Sequence, residues 1–371
     1  MSKQAWIWFV GGIIIIGGIF LFTQDDQPLV SEPIKIGVIE SLSGFAAYYG
    51  EENKKGVEVA LFEIAEKYPD LKFDVYHEDS LYTAKGGVDA YNNLKSRYGL
   101  DAVMTHASPV ALAIQPLAKT DGILQMAVSA SAKNFSSAND LSFRVSPITD
   151  IEVKVLSDFI KNKGYKKVSV LYFNNDIGVS IADSLARELE GSFSAVVTQD
   201  AFPLDATDYR TYLAKIKQAS PDSVYAVGTA AHLSNILKQA KELDIEAQFL
   251  GFRASEDPVL LKNAGDLAEG FIYTYAFDAN DSVTETRRFV DAYNSTYHSL
   301  PDGYAAEGYE GMMLVASAFD KCGKNYECIG YYLRNLKNYK SVFGDLSFDE
   351  NGDVSYKFFL KTVRNGEFVK L

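Results

Sequence analysis

Residues 34–79, IKIGVIESLSGFAAYYGEENKKGVEVALFEIAEKYPDLKFDVYHED, decide the fold class. They begin with a β-rich run, 34–41, and continue with a segment, 51–68, whose apolar positions recur at helical spacing. A second β-rich run follows at 71–79. A strand, a helix and another strand in this order form the unit of a parallel sheet, because parallel strands need a crossover connection.

The same alternation continues along the chain. A second series begins at residue 148 with a helical segment and continues through four β-rich runs to residue 253. The strand 270–278 and two or three helices follow, and DENGD at 349–353 is a hairpin turn signal. The pattern predicts an α/β protein with two doubly wound lobes built on parallel sheets.

The overall charge argues against nucleic acid as a partner. The formal net charge is -13, and the short basic pairs are isolated, whereas nucleic-acid binding needs clustered Lys and Arg.

The two cysteines, Cys322 and Cys328, are too few for a disulfide scaffold and have no neighbouring ligands for zinc. A single local disulfide remains open, and no metal or other cofactor is predicted.

The apolar run WIWFVGGIIIIGGIFLF at 6–22 predicts an N-terminal transmembrane anchor or signal segment within residues 1–24. Lys3 precedes the run and Asp25 and Asp26 follow it, which sends the rest of the chain out of the cytoplasm. No small-residue cleavage site follows, so an uncleaved anchor is favoured over a cleaved signal peptide. Residues 25–33 read as a linker, and outside the cytoplasm a Cys322–Cys328 bridge is favoured over free thiols.

The ends of the predicted strands are rich in Ser, Thr, Gly and Asn, and they read SLSGFAAYYG, THASP, VSASAKN, FNNDIG, GTAAH and GFRASED. In open parallel sheets, ligands bind at these carboxyl ends, where loops and helix N-termini meet. Hydroxyl and backbone N–H groups there suit an anion, typically a carboxylate. The sequence therefore predicts a binding site for a small carboxylate-bearing molecule.

Catalytic equipment is not evident at these ends. The chain has no nucleophile elbow, P-loop, dinucleotide fingerprint or HExxH pair. His106 and Ser108 lie two residues apart. On an extended segment, side chains at this spacing are expected to diverge from a shared reacting centre rather than form a nucleophile–base pair. His106 and His232 fall near strand ends, whereas His77 and His298 lie in polar contexts. Binding without chemistry is the favoured interpretation.

Five motifs in order resemble a known family. They are the opening strand and loop 34–50, the strand and loop 123–134, the strand and turn 168–178, FLGF at 249–252 and AEGFIYTYAF at 268–277. From about residue 34 onward the chain resembles the extracytoplasmic solute-binding proteins of ABC transporters, in the branched-chain amino acid (Leu/Ile/Val-binding) family with the type I periplasmic-binding fold.

The resemblance implies two lobes joined by three crossing strands, which close over a small molecule like a hinge. The crossings are expected near Ser146, Phe277 and Asp345. Lobe 1 then comprises 34–147 plus 277–344, and lobe 2 comprises 148–276 plus 345–371.

The resemblance also implies the site residues. In lobe 1, Ser108, Ser129 and Ser131 match positions that hold the ligand's carboxylate and amine, and Tyr49 matches a loop tyrosine. Each serine has a structural alternative, since Ser108 precedes Pro109 and can cap a helix, and the other two can satisfy a turn.

Lobe 2 departs from the family pattern. Ile177 and Thr229 replace ligand-facing tyrosines, and Arg253 replaces the glutamate that binds the ligand's ammonium. A cation about 4 Å from an ammonium opposes it by roughly 4 kcal/mol at an effective dielectric near 20. Arg253 would instead grip a carboxylate. In the alternative, Arg253 turns aside and pairs with Glu256 or Asp257.

The resemblance implies an ABC importer component that partners permease subunits, is not an enzyme and lies outside the cytoplasm. It would be held by the N-terminal segment, or be periplasmic or secreted if that segment is cleaved. A membrane-tethered ligand-sensing receptor domain acting through a partner signalling protein is the alternative.

Overall fold

The computed structural model describes residues 32–135, 137–138 and 140–371. The apolar run 6–22 and most of the predicted linker lie outside the described residues. Within the described ranges no helix is both long and apolar enough to cross a bilayer.

The first sheet has five strands, and all of its strand pairs are parallel. Its strands are β1 Ile34–Glu40, β2 Phe73–Asp79, β3 Ala102–His106, β4 Leu124–Val128 and β5 Ser142–Arg144, in the order β2-β1-β3-β4-β5. The connecting helices are α1 Ala47–Lys67, α2 Ala84–Tyr98 and α3 Ser108–Asp121. β1, β3 and β4 are almost entirely buried because helices cover both of their faces.

The second sheet begins with five parallel strands. These are β6 Lys167–Phe173, β7 Ala195–Phe202, β8 Ser223–Val227, β9 Gln248–Gly251 and β10 Ile272–Tyr275. The helices of this half are α4 Thr149–Asn162, α5 Asp176–Leu189, α6 Arg210–Ala219, α7 Ala230–Glu242 and α8 Pro258–Ala264. Both series of the predicted strand–helix alternation are therefore present.

Three helices and a small antiparallel sheet follow β10. They are α9 Thr284–Tyr297, α10 Gly303–Cys322, α11 Tyr326–Arg334, β11 Tyr339–Ser341, β12 Gly344–Phe348 and β13 Val354–Ser355. The predicted turn 349–353 joins β12 to β13 as a hairpin. Cys322 and Cys328 form a disulfide with an S–S distance of 2.06 Å.

The last two strands, β14 Phe359–Arg364 and β15 Glu367–Lys370, extend the second sheet, whose order is β15-β14-β10-β9-β8-β6-β7. They run antiparallel, so this sheet is mixed rather than purely parallel. The turn between them is Asn365-Gly366, with positive φ at both residues, which is the signature of a two-residue hairpin. The sequence carried this signal, and the prediction of a purely parallel sheet missed it.

The chain passes from the first large sheet to the second between β5 and β6. After β10 it leaves the second sheet for the small sheet β11-β12-β13, and it returns to the second sheet at β14. Ser146 lies just after β5, and Phe277 lies just after β10. Asp345 lies inside β12, where it pairs with Lys340 of β11. The exact lobe boundaries stay a prediction.

Helices α1 and α10 pack against each other at very short range. A Cβ at Gly56 would overlap the backbone of Ala305, and a Cβ at Gly308 would overlap the backbone of Asn53. The two glycines therefore allow the helix backbones to touch. This contact places Tyr49, at the start of α1, and Tyr304, at the start of α10, with their ring centroids 4.8 Å apart.

Candidate functional site

Strained backbone marks the carboxyl ends of three strands in the first sheet. Tyr82 after β2, Ala107 after β3 and Ser129 after β4 have φ values of 58°, 76° and 53°. Residues other than glycine avoid this left-handed region unless the surrounding structure holds them there, and such strain concentrates at functional sites. All three residues line one cavity.

This central cavity has a volume of about 30 Å³. From the first half of the fold and α10 it is lined by Tyr49, Tyr82, His106, Ala107, Ser129 and Tyr304. From the second half it is lined by Phe173, Ile177, Thr229, Phe252, Arg253 and Ala254. Because a water needs roughly 10–15 Å³, the cavity has room for about two waters in this conformation.

Tyr49 joins the two halves of the fold across this cavity. Its hydroxyl donates a hydrogen bond to the Ala254 carbonyl at 3.0 Å and accepts one from the Ala230 N–H at 3.1 Å. Burial raises the pKa of Tyr49 well above its ordinary value, so the hydroxyl stays protonated. The predicted site tyrosine therefore bridges α1 to the start of α7 and to the loop after β9.

Arg253 follows β9 and is 8% exposed. Its guanidinium donates to the Glu307 carboxylate at 2.7 Å and to the Ser131 hydroxyl at 2.9 Å. Burial alone would lower the pKa of Arg253, but Glu307, Tyr304 and Glu152 together raise it above its ordinary value. Arg253 is thus a buried, permanently charged group.

The predicted alternative partners of Arg253 are engaged elsewhere. Glu256 forms an ion pair with Lys361 at 2.6 Å and accepts from the Tyr273 hydroxyl at 2.6 Å. Asp257 caps α8 by accepting from the Val259 N–H at 2.8 Å. The hypothesis that Arg253 pairs with either of these acids is wrong, because the carboxylates of Glu256 and Asp257 bind these other groups.

Glu307, on α10, is the partner that sequence reasoning missed. One carboxylate oxygen accepts from Arg253 and from the hydroxyls of Ser146 at 2.7 Å and Tyr356 at 3.2 Å. The other accepts from Ser129 at 2.6 Å. The signal available in the sequence was a glutamate among the small and apolar residues of α10. In the structure Glu307 is 4% exposed. Asp302 caps this helix by accepting from the N–H groups of Tyr304 and Ala305.

A second buried carboxylate, Glu152 on α4, lies behind Arg253. It accepts from the Arg253 backbone N–H at 3.2 Å and from the Thr274 hydroxyl. Burial raises the pKa of Glu152, although the positive charge of Arg253 opposes this rise. Glu152 therefore orients the start of the Arg253 loop rather than contacting the guanidinium.

His106 is held neutral inside the site. Its Nδ1 lies 3.3 Å from the Ser41 hydroxyl, and within the described part of the chain its Nε2 has no hydrogen-bond partner. Burial and the nearby charge of Arg253 lower the pKa of His106 to about 3. A neutral imidazole that lines the cavity can donate to or accept from a polar ligand group.

His232 has a structural role at the edge of the cavity. Its Nδ1 accepts from the Thr229 N–H at 3.1 Å, and its Nε2 donates to the Leu204 carbonyl at 2.9 Å. Together with the Thr229 hydroxyl this forms a capping box at the start of α7. Thr229 thus caps a helix and also lines the cavity.

Five of the seven predicted site residues line the cavity, namely Tyr49, Ser129, Ile177, Thr229 and Arg253. Ser108 does not line it, because its hydroxyl accepts from the Ala132 N–H at 3.1 Å and holds the loop after β4. Ser131 lies beside the cavity and binds Arg253. Tyr82, Phe173, Phe252 and Tyr304 also line the cavity and were not predicted.

Two α/β halves with a polar and aromatic cavity between their strand ends define the class of solute-binding proteins with the type I periplasmic-binding fold. Residues 33–367 match the family model described as periplasmic binding protein, and the chain belongs to this family.

Similar proteins confirm the resemblance to Leu/Ile/Val-binding proteins. The Leu/Ile/Val-binding protein homolog 2 of Brucella abortus (strain 2308) is 25% identical over 332 residues, which cover 87% of this chain and 88% of that protein.

Solved structures agree on the fold. A branched-chain amino acid transporter substrate-binding protein from Streptococcus pneumoniae, in complex with isoleucine, aligns with a TM-score of 0.83 at 24% identity over 91% of this chain and 98% of that one. An ABC transporter solute-binding protein from R. palustris, in complex with benzoate, aligns with a TM-score of 0.82 at 19% identity over 91% and 95%.

Proposed function

We propose that this chain is the extracytoplasmic solute-binding component of an ABC importer. It binds a small carboxylate-bearing ligand, an amino acid or a related organic acid, between two lobes that close by a hinge. The observation that carries the proposal is the buried cavity between the two strand-end edges, where Arg253, hydroxyl groups and aromatic rings meet. No covalent chemistry is proposed, because the hydroxyl of Ser108, the candidate nucleophile, binds the Ala132 N–H, and the Nδ1 of His106 lies beside the Ser41 hydroxyl instead.

The ligand class is supported by two similar proteins. One is in complex with isoleucine and another with benzoate, and both ligands carry a carboxylate. Here the guanidinium of Arg253 offers bidentate geometry to such a group. The rings of Tyr82, Phe173, Phe252 and Tyr304 offer an apolar wall to the remainder of the ligand.

Hinge motion is part of the proposal because of the size of the cavity. At about 30 Å³ it is too small for any amino acid, so the two halves must separate before a ligand can enter. The bonds from Tyr49 to Ala230 and Ala254, and from Arg253 to Glu307, connect the two halves and would break on opening. These few polar contacts can reform around a ligand.

A ligand screen tests the proposal. A set of neutral amino acids, dicarboxylates and aromatic acids is added to the protein, and thermal unfolding is followed. A ligand at a hundred times its Kd should add about 2.7 kcal/mol to the free energy of unfolding. Calorimetry of the best ligand should show at least about tenfold weaker binding to Arg253→Gln, roughly 1.4 kcal/mol.

Arg287→Gln is the matched control, because Arg287 is exposed on α9 and is not among the residues lining the cavity. Equal affinities of the two variants would exclude Arg253 from the site. An absence of stabilisation by every carboxylate would contradict the ligand class.

The localisation remains part of the proposal. The run 6–22 would anchor the chain to the outer face of the cytoplasmic membrane, or the chain would be periplasmic or secreted if this segment is cleaved. An uncleaved anchor also suits the alternative, a ligand-sensing receptor domain acting through a partner signalling protein. Genes for a permease and an ATPase beside this one, rather than a kinase gene, distinguish the importer from the sensor.

A further inference from the structure

The carboxylate of Glu307 binds two of the groups that were predicted to contact a ligand, Ser129 and Arg253. Ser129, expected to bind the ligand, donates to Glu307 at 2.6 Å. Ser131, expected to do the same, accepts from Arg253 at 2.9 Å. The hydroxyl groups and the guanidinium that would meet a ligand anion are therefore engaged by the chain itself.

The surroundings of Glu307 have the composition of an anion site. Four groups donate to its two oxygens, namely the guanidinium of Arg253 and the hydroxyls of Ser129, Ser146 and Tyr356. Arg253 follows β9 of the second sheet, whereas Ser129 follows β4 of the first, so these donors converge from both halves of the fold. Hydrogen bonds to an ionised group are stronger than those between neutral groups. Here their acceptor is the carboxylate of Glu307 rather than that of a ligand.

Displacement of Glu307 has an electrostatic consequence. A ligand carboxylate that binds Arg253 leaves the Glu307 carboxylate without its counter-ion, and an unpaired buried charge is strongly unfavourable. A ligand that also carries an ammonium can supply the missing counter-ion. A zwitterion then replaces one neutral ion pair with two, and the net charge of the site does not change.

We propose that Glu307 determines the charge specificity of the cleft, as an internal competitor for Arg253 that favours zwitterionic ligands over simple carboxylates. This inference rests on the proposed function and reverses the polarity that the family resemblance predicts. In that pattern the second half of the fold supplies the acid for the ammonium. Here Arg253 of that half takes the carboxylate, and Glu307 of α10 takes the ammonium.

Space beside the ion pair allows this exchange. A second cavity of about 20 Å³ borders Arg253, Tyr304 and Glu307 on the side of Tyr356 and Phe343. Arg253 and Tyr304 also line the central cavity, so they separate the two spaces.

Matched ligand pairs test the charge specificity. The members of each pair differ only by the amino group, for example leucine with 4-methylpentanoate and phenylalanine with 3-phenylpropanoate. Calorimetry gives the affinity ratio within each pair for the wild type and for Glu307→Gln. We expect the wild type to prefer the zwitterion, and we expect Glu307→Gln to reduce this preference by at least about tenfold while it binds the simple acid more tightly. An unchanged ratio in Glu307→Gln would overturn the proposal.

Glu310→Gln is the matched control. Glu310 lies one helical turn further along α10 and is also buried, and its carboxylate accepts from the Val342 N–H at 2.9 Å instead of lining either cavity. Its variant should retain the wild-type ratio. A loss of preference in both variants would show a general effect of altering α10, and it would also count against Glu307.

A second measurement does not depend on knowing the ligand. Glu307→Ala removes the internal carboxylate and leaves its donors in place, so free acetate should fill the vacated position. Acetate should raise the thermal midpoint of Glu307→Ala by several degrees, and it should raise the midpoints of the wild type and Glu310→Ala much less.

The two measurements separate the two proposals. Equal acetate responses in all three proteins would overturn the role of Glu307, whatever the ligand screen gives. Acetate rescue of Glu307→Ala together with a failed ligand screen would support the anion position and contradict the proposed ligand class.

Discussion

At the scale of single residues, Arg253 illustrates how a partner distant in sequence changes the interpretation of a charge. Considered alone, Arg253 opposes a ligand ammonium by roughly 4 kcal/mol at an effective dielectric near 20. In the structure, Glu307 lies 2.7 Å from the guanidinium and compensates its charge. The penalty calculated for an isolated cation therefore does not apply to the cleft as a whole.

His106 gives a prediction for the dependence of stability on pH. The pKa of His106 is about 3 in the folded protein, against 6.5 for an ordinary histidine. Between these values the unfolded chain binds a proton that the folded chain does not, so this residue makes stability fall as the pH falls from 6.5. The wild type should lose up to about 1.4 kcal/mol per pH unit more than His106→Gln in this window.

Urea unfolding at a series of pH values from about 7 to about 4 measures the difference between the two proteins. His298→Asn, at an exposed position after α9, is the control and should follow the wild type. Parallel curves for the wild type and His106→Gln would contradict the buried, neutral state of His106.

At the scale of elements, the contact between α1 and α10 positions the site, because Tyr49, Tyr304 and Glu307 all lie on these two helices. The contact depends on Gly56, where a Cβ would overlap the backbone carbonyl of Ala305. Backbone cannot move aside as a side-chain end can. Gly56→Ala should therefore lower the free energy of unfolding by about 1–3 kcal/mol through overpacking.

Gly330→Ala on α11 is the matched control for the Gly56 prediction. A Cβ there would meet only side-chain atoms of Leu141 and Arg334, at 3.0 and 3.1 Å. Alanine has a higher helix propensity than glycine by about 1 kcal/mol. This gain should offset the small shift that the two side chains must make. Denaturant unfolding compares the two variants, and equal changes would show that the α1–α10 contact can relax.

At the scale of the whole molecule, the two halves of the fold are held together around the cavity by few polar contacts. Tyr49→Phe removes the hydrogen bonds to Ala254 and Ala230, which should favour the open form by about 1–3 kcal/mol. Small-angle scattering should show a larger radius of gyration for this variant. Tyr331→Phe, at a residue 73% exposed, should match the wild type. Identical profiles for all three proteins would contradict hinge opening at this contact.

The sequence by itself determined the class of fold and the edge of the sheets at which the site lies. Short β-rich runs alternating with helical segments are local patterns, and the carboxyl ends of parallel strands lie at one edge whatever the details of packing. The family resemblance implied Tyr49, Ser129, Ile177, Thr229 and Arg253 as site residues, and all five line the cavity at this edge. The Asn365-Gly366 hairpin was also readable, although it was missed.

Only the tertiary structure decided what those residues do. Glu307 lies 54 positions from Arg253 in the chain, and no local pattern links the two residues. Ser108 is drawn to Ala132, and Tyr82 is turned inward by a left-handed backbone that propensity does not predict. A buried charge takes the counter-ion that the folded chain brings near, so the pairing depends on how α10 packs against the strand ends.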